Sequence, residues 1–181
     1  MYGAHELRCK ATQLPLRSPV TQLLRLMQDT MRVARGLGLA APQIGQCIRV
    51  FLVDTERSES SHPEHNSYSV FINPEIRIDR TVPAVGYQEG CLSIPDVLVN
   101  VPRHERVTVR YFDGAWKAHE RTYTGLTARV IQHEYDHLEG KLHIDYVSSL
   151  RKQMLRSKLR AIRAGKVDVD YPIRTADVRR A

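Results

Sequence analysis

Residues 132–143 read QHEYDHLEGKLH, which places His133, Glu134 and His137 in the spacing H-E-x-x-H. On a helix, residues four apart lie one turn apart on the same face, so the two imidazoles converge on one point. That pair suits a divalent metal, and the carboxylate between them suits a general base. Glu134 lies roughly 100° round the helix from His133, so it flanks such a metal without ligating it. A catalytic metal usually has three protein ligands and one open position. Two residues compete for the third place. His143 completes the longer pattern H-E-x-x-H-x-x-G-x-x-H, and Gly140 lets the chain turn toward the metal. Cys91, in EGCLSIP, offers a thiolate that suits zinc or ferrous iron. Spacing does not choose between them.

These side chains need a frame. TGLTARVIQHEYDHLEG predicts a helix entering near Thr124 and ending before Gly140. Leu126 and Val130 share the stripe of His133 and His137, so the histidines point into the core. LHIDY, around His143, alternates like the start of a strand. Upstream, Ser18-Pro19 predicts a helix start. Val20, Leu23, Leu24, Met27, Met31 and Ala34 form its apolar stripe, with Gly36 as the stop. GLGLAAPQIG, 36–45, lacks the spacing of a phosphate loop, and its small residues allow close approach of backbone or ligand. IRVFLV (48–53) predicts a buried strand, and SVFINPEIRI (69–78) a strand broken at Asn73-Pro74. ERVTVRYF and WKAHERTY flank Asp113-Gly114, a hairpin signal. The polar stretch 55–67 predicts a mobile loop, with His62 and His65 as exposed loop histidines. SSLRKQMLRSKLRAIRAG predicts a last helix, capped by Ser148 or Ser149 and stopped by Gly165. Its apolar side is Leu150, Met154, Leu155, Leu159 and Ile162. The expected class is α+β, with mixed or antiparallel sheets packed around a central metal-binding helix and helices toward both ends. Residues 1–165 form one catalytic domain in this reading, and 166–181 a polar, loosely held tail.

A chain of 181 residues suits one domain. Hydrophobic content of 42% and charged content of 26% fit a soluble globular protein. No apolar run is long enough to span a membrane, and MYGAHELRCK has no signal-peptide core. Three cysteines, Cys9, Cys47 and Cys91, without an export signal predict free thiols in a reducing compartment. Cys47, just before a strand, reads as core or edge packing. The net charge is +7, and residues 141–181 account for all of it, with eleven Lys and Arg against four Asp. That segment reads as a solvated helix face or, more sharply, as a docking surface for RNA.

GLGLAAPQ (36–43), EGCLS (89–93) and QHEYDHLEG (132–140), in this order, resemble the three signature motifs of the peptide deformylase family. The YGAHELR start also resembles that family's usual opening. The resemblance implies that Cys91, His133 and His137 hold one divalent metal, most often Fe(II), with Zn, Ni or Co accepted by the same donors. It leaves His143 out. It implies hydrolysis of the N-formyl group of formylmethionine at the start of new proteins, with formate as product. It makes Glu134 the general base, and the Gln43 amide and the Leu92 backbone N–H the oxyanion donors. Gly38 and Gly90 would hold the peptide as an added strand. Leu37, Tyr87, Leu126, Arg129, Val130 and His133 would line the methionine pocket. Tyr87 and Arg129 depart from the aliphatic residues usual there, and their stems are expected to line it instead. Glu89 is expected to pair with Arg103 and brace the second motif. The implied setting is a monomer in a bacterial-type cytoplasm, or an organelle, acting on formylmethionyl nascent peptides. The basic last helix could then touch the ribosome.

Two other readings compete. A metalloprotease using His143 would need a methionine turn below the metal, but Met154, the nearest downstream methionine, falls inside the last predicted helix. A non-enzymatic RNA-binding protein with a decayed metal site fits the basic segment, but not the intact Glu134 and Gln43.

Overall fold

A computed structural model of the chain describes residues 1–54 and 68–175. The expected loop 55–67, with His62 and His65, and residues 176–181 lie outside the described residues. Helix α1 spans Thr21–Val33, α2 Gly125–Leu138 and α3 Ser149–Arg163. The strands are β1 Gly38–Ala40, β2 Val50–Asp54, β3 Tyr68–Ile78, β4 Ala84–Cys91, β5 Ile94–His104, β6 Arg106–Phe112 and β7 Ala118–Thr124. β1, β2, β3, β6 and β7 form one sheet in that order, while β4 and β5 form a separate two-stranded sheet. Every strand pair is antiparallel. The α+β class is as expected.

β2 explains the layering. Its residues are buried on both faces, so alternate side chains serve two cores. Phe51 and Val53 face α2, packing with Phe71, Val109, Ala128 and Ile131. Val50 and Leu52 face α1, packing with Leu24, Met27 and Met31. A third core joins the β4–β5 sheet to α3 through Val97, Val99, Val101, Leu159 and Ile162, and it contains Cys91. α2 therefore lies between the two sheets, which is why its polar residues have protein on nearly every side.

Local expectations met mixed outcomes. The break at Asn73-Pro74 is a bulge: Asn73 has φ +48° and the β3–β6 register shifts between Ile72 and Glu75. The Asn73 side chain accepts from Leu14 N–H and donates to Leu14 C=O, both at 2.8 Å. The Asp113-Gly114 hairpin closes through a longer loop, 113–117, because Asp113 Oδ1 accepts from both Ala115 N–H and Lys117 N–H. Ser148 caps α3 as expected, accepting from Arg151 N–H. Ser18 does not cap α1. Its hydroxyl instead donates to the Pro15 carbonyl, and the helix starts at Thr21. Arg35, at φ +53°, takes the left-handed position after α1 that Gly36 was expected to take. LHIDY is not a strand: His143–Tyr146 form a short 3-10 helix. β4 and β5 were not anticipated at all.

The cysteines and the tail also depart from the sequence expectation. Cys9 and Cys47 form a disulfide, so only Cys91 is a free thiol. A parallel bridge between Thr12 and Ile48 brings the two segments together and sets the cysteine Cα atoms 6.4 Å apart. Nothing local in the sequence announces that pairing. The tail is not loose over 166–175. Val167 and Ile173 pack against the third core, and Arg174 bonds Glu6 at 2.7 Å. Among the described residues no helix is long and apolar enough to cross a membrane.

Candidate metal centre

α2 begins after Thr124, whose extended backbone precedes Gly125 at φ +58°. The helix then presents His133 and His137 toward Cys91, the last residue of β4. The three ligand atoms lie within 4.8 Å of one another, and Cys91 Sγ is 3.4 Å from His137 Nε2. His133 donates from Nδ1 to Glu89 Oε2 at 3.0 Å, which leaves Nε2 for the centre. His143 stands apart from this cluster, with its Nε2 donating to the Val97 carbonyl at 3.0 Å. Among the described residues, the ligating atoms that come together are those of Cys91, His133 and His137, and His143 is not among them.

Glu89 organises the surroundings. Its carboxylate accepts from Arg103 Nε at 2.8 Å and Nη2 at 3.0 Å, and from Arg129 Nη1 at 2.7 Å. Burial pushes its pKa up, but the His133 and Arg103 hydrogen bonds override that and hold it down to about 2. Arg103 also donates to Asp136 at 2.8 Å, and Asp136 accepts from the Tyr146 hydroxyl. The expected Glu89–Arg103 brace is thus one edge of a larger network.

The residues fit a bound cation. Burial lowers the pKa of His133, yet the Cys91 and Glu89 hydrogen bonds raise it to about 10. His137 Nδ1 and Glu134 Oε2 are buried with no protein hydrogen-bond partner among the described residues. Glu134 is 3% exposed, and burial raises its pKa to about 7 against the pull of His133 and Arg103. Its carboxylate rests on Gly38: a Cβ at that position would sit 2.5 Å from Oε1. Gln43 accepts from Ala40 N–H at 2.7 Å, which aims its amide nitrogen at Ser93 Oγ (3.3 Å) and Cys91 Sγ (3.7 Å).

These residues open onto a cavity of about 370 Å³. Leu37, Gly38, Gln43, Gly90, Cys91, Leu92, Leu126, Arg129, Val130, His133 and Glu134 line it. Tyr87 does not. It is 56% exposed, and its ring covers the Arg129 guanidinium from outside at 4.9 Å. Arg129 is drawn away from the cavity by Glu89 and by the Val101 and Val85 carbonyls, so its stem forms the wall. Sequence reasoning missed Gln88, Pro95 and Tyr171, which also line the cavity, and Ser93, which meets Gln43. No motif marks Tyr171, because it lies in the polar tail.

The polypeptide deformylase family model matches residues 1–153. The chain belongs to the polypeptide deformylase family. It is 42% identical to a peptide deformylase of Christiangramia forsetii over 99% of this chain and 96% of that protein. It is also 42% identical to one of Salinibacter ruber, over 98% and 93%. The crystal structure of the Thermus thermophilus peptide deformylase superposes with a TM-score of 0.80 at 33% identity, covering 92% of this chain and 97% of that one. The Legionella pneumophila structure gives 0.77 at 37% identity, covering 90% and 92%. As a deformylase, the chain is a hydrolase that removes the N-formyl group from newly made proteins, and its Cys/His/His cluster is suited to the metal on which the family depends.

Proposed function

We propose that Cys91, His133 and His137 hold the catalytic metal, with Glu134 as the proton carrier of deformylation. The observation that carries this reading is the convergence of the three ligand atoms within 4.8 Å beside a buried carboxylate whose Oε2 has no protein partner. Bound there, a divalent ion would supply Lewis-acid polarisation and lower the pKa of water. Family resemblance favours Fe(II), and the thiolate and two imidazoles also suit Zn, Ni or Co.

Glu134 takes a proton from the attacking water, whose oxygen bonds to the formyl carbon. The developing oxyanion accepts from the Gln43 amide and the Leu92 backbone N–H. Gln43 is held for this by the Ala40 N–H on its own carbonyl oxygen. Glu134 then delivers its proton to the departing nitrogen as the C–N bond breaks, leaving formate and a free amino terminus. Gly38 and Gly90, which both line the cavity, offer backbone to an extended peptide. Leu37, Leu126, Val130 and the stem of Arg129 receive the methionine side chain. Tyr87 acts from behind by holding the Arg129 head.

Anaerobically purified protein should release formate from a formylmethionyl peptide. Cys91→Ser should abolish metal retention and activity, and His143→Phe should spare both. The reverse pattern removes Cys91 from the ligand set.

The same reading makes the chain a monomer working in the cytoplasm, where nascent chains are met. Lys152, Arg156, Arg160 and Arg163 of α3 line one groove with Arg8, a basic surface suited to ribosomal RNA. Neutralising Lys152, Arg156, Arg160 and Arg163 should weaken ribosome binding and flatten its salt dependence. Unchanged binding rules the contact out.

A further inference from the structure

A second cavity, of about 450 Å³, adjoins the one over the metal ligands. The two share Gln43, Leu92 and Tyr171, so these three residues form the wall between them. Two are the proposed oxyanion donors. The third comes from the stretch after α3, beyond residues 1–153 that the family model matches.

The Tyr171 hydroxyl donates to the Leu92 carbonyl at 2.9 Å. Burial raises its pKa, so it is a donor at neutral pH. The surrounding stretch is pinned on both sides of it. Val167 and Ile173 pack on the core that contains Cys91, and the Arg174 guanidinium bonds Glu6 and lies against Gly45. Leu92 itself is gripped at further points. Cys91 before it pairs with Ile94. Its Cδ1 nests over Gly36, where a Cβ would come within 2.8 Å.

We propose that Tyr171 is a positioning residue for deformylation: by holding the Leu92 carbonyl, it fixes the orientation of the Leu92 N–H that receives the oxyanion. The carbonyl and the N–H belong to successive peptide planes that meet at the Leu92 Cα. Pinning one while β4 holds the other leaves the N–H little freedom to turn. A donor already aimed needs no reorganisation when charge develops. The tail is thus part of the catalytic unit. This inference rests on the proposed oxyanion role of Leu92 and Gln43.

The test compares Tyr171→Phe, which removes only the hydroxyl, with Tyr171→Leu, which also removes the ring. Both are assayed as metal-loaded protein on a formylmethionyl tripeptide, with metal content matched. In Tyr171→Phe, kcat should fall about five- to tenfold, with KM within about twofold and the melting temperature nearly unchanged. Tyr171→Leu should show the same kcat loss and also melt lower. In metal-free protein, hydrogen exchange across residues 90–94 should quicken about tenfold in Tyr171→Phe. Wild-type kcat or wild-type exchange in Tyr171→Phe overturns the proposal, because the ring then only packs. A raised KM with unchanged kcat also overturns it, because the phenol then contacts substrate. Gln43→Leu separates the two readings. If it loses kcat while Tyr171→Phe does not, the oxyanion wall stands and Tyr171 falls. If Gln43→Leu keeps wild-type kcat, the oxyanion reading fails and takes the proposal with it.

Discussion

Helices α2 and α3 are nearly equal in length, at 14 and 15 residues, but they are built in opposite ways. α2 buries Thr127, Arg129, Gln132, Glu134 and His137 along with its apolar residues. α3 buries only Leu159 and Ile162, and it exposes Leu150 (70%) and Met154 (66%) on the side expected to be apolar core. Burying charge rarely adds stability, because desolvation offsets the Coulombic gain. The polar content of α2 therefore serves position. Two sheets enclose the helix, its charges are held by Glu89, Arg103 and neighbouring carbonyls, and the ligands keep one geometry. α3 touches the core along one edge and leaves its basic face free to vary.

The sharpest way to break this contrast is at Glu134. Glu134→Gln should lower kcat by about 10²- to 10⁴-fold while metal content stays at the wild-type level. Less than a tenfold loss would show that this buried carboxylate is not the proton carrier. Glu89→Gln comes next. It leaves two buried guanidinium groups short of their counter-charge and releases His133 Nδ1. The expected cost is roughly 3–5 kcal/mol in urea unfolding, with metal affinity about 10–100-fold weaker in a chelator competition. Equal metal affinity would mean that the brace does not orient the ligand. A matched pair of truncations then compares the helices directly. Ile131→Ala on α2, where the side chain is fully buried, should cost about 2–5 kcal/mol. Met154→Ala on α3 should stay within about 0.5 kcal/mol. Similar costs would show that α3 meets something on its exposed side.

The sequence marked α2 more clearly than the sheet that completes its site. His133, Glu134 and His137 declare themselves because helical spacing is local, and Leu126 and Val130 on the same stripe tell which way they face. β5 is equally regular, with Val97, Val99, Val101 and Arg103 buried in alternation, yet its sequence does not announce a strand. Pro102 interrupts the pattern, and a proline is tolerated there because a two-stranded sheet has only edge strands. Three contacts were beyond local reading. The Cys9–Cys47 disulfide depends on a bridge between segments 36 residues apart. The meeting of Cys91 with His133 and His137 depends on how β4 meets α2. Tyr171 reaches the site only because the tail doubles back, and its own neighbourhood in the sequence is polar. The exposed half of α3 failed for the converse reason. Leu150 and Met154 lie roughly 180° and 140° round the helix from Leu159, so a stripe that includes all three spreads over half the helix, and only the side of Leu159 and Ile162 is buried.

Between the two helices, the turn after Gly140 is tied to the amino-terminal segment, and its loss has a smaller expected effect than that of Glu134, Glu89 or Ile131. Arg8 donates to Asp145 from Nη1 at 2.5 Å and Nη2 at 3.1 Å, and Leu142 N–H donates to the same carboxylate at 2.9 Å. Burial pushes the Asp145 pKa up, but the Arg8 and Leu142 hydrogen bonds bring it below its ordinary value of 3.8. A carboxyl depressed in the folded state binds protons more readily in the unfolded chain. Its contribution is therefore complete above about pH 4 and is lost as pH falls through the lower folded value. The pair is partly exposed, at 43% and 33% for the two side chains, so solvent screening limits it to about 0.5–1 kcal/mol. Asp145→Asn should cost that much in urea unfolding at pH 7, less in high salt, and the gap to wild type should narrow steadily below pH 4. A gap that stays constant down to pH 3 would mean that the carboxylate charge contributes nothing and that the turn is held by its hydrogen-bond geometry alone.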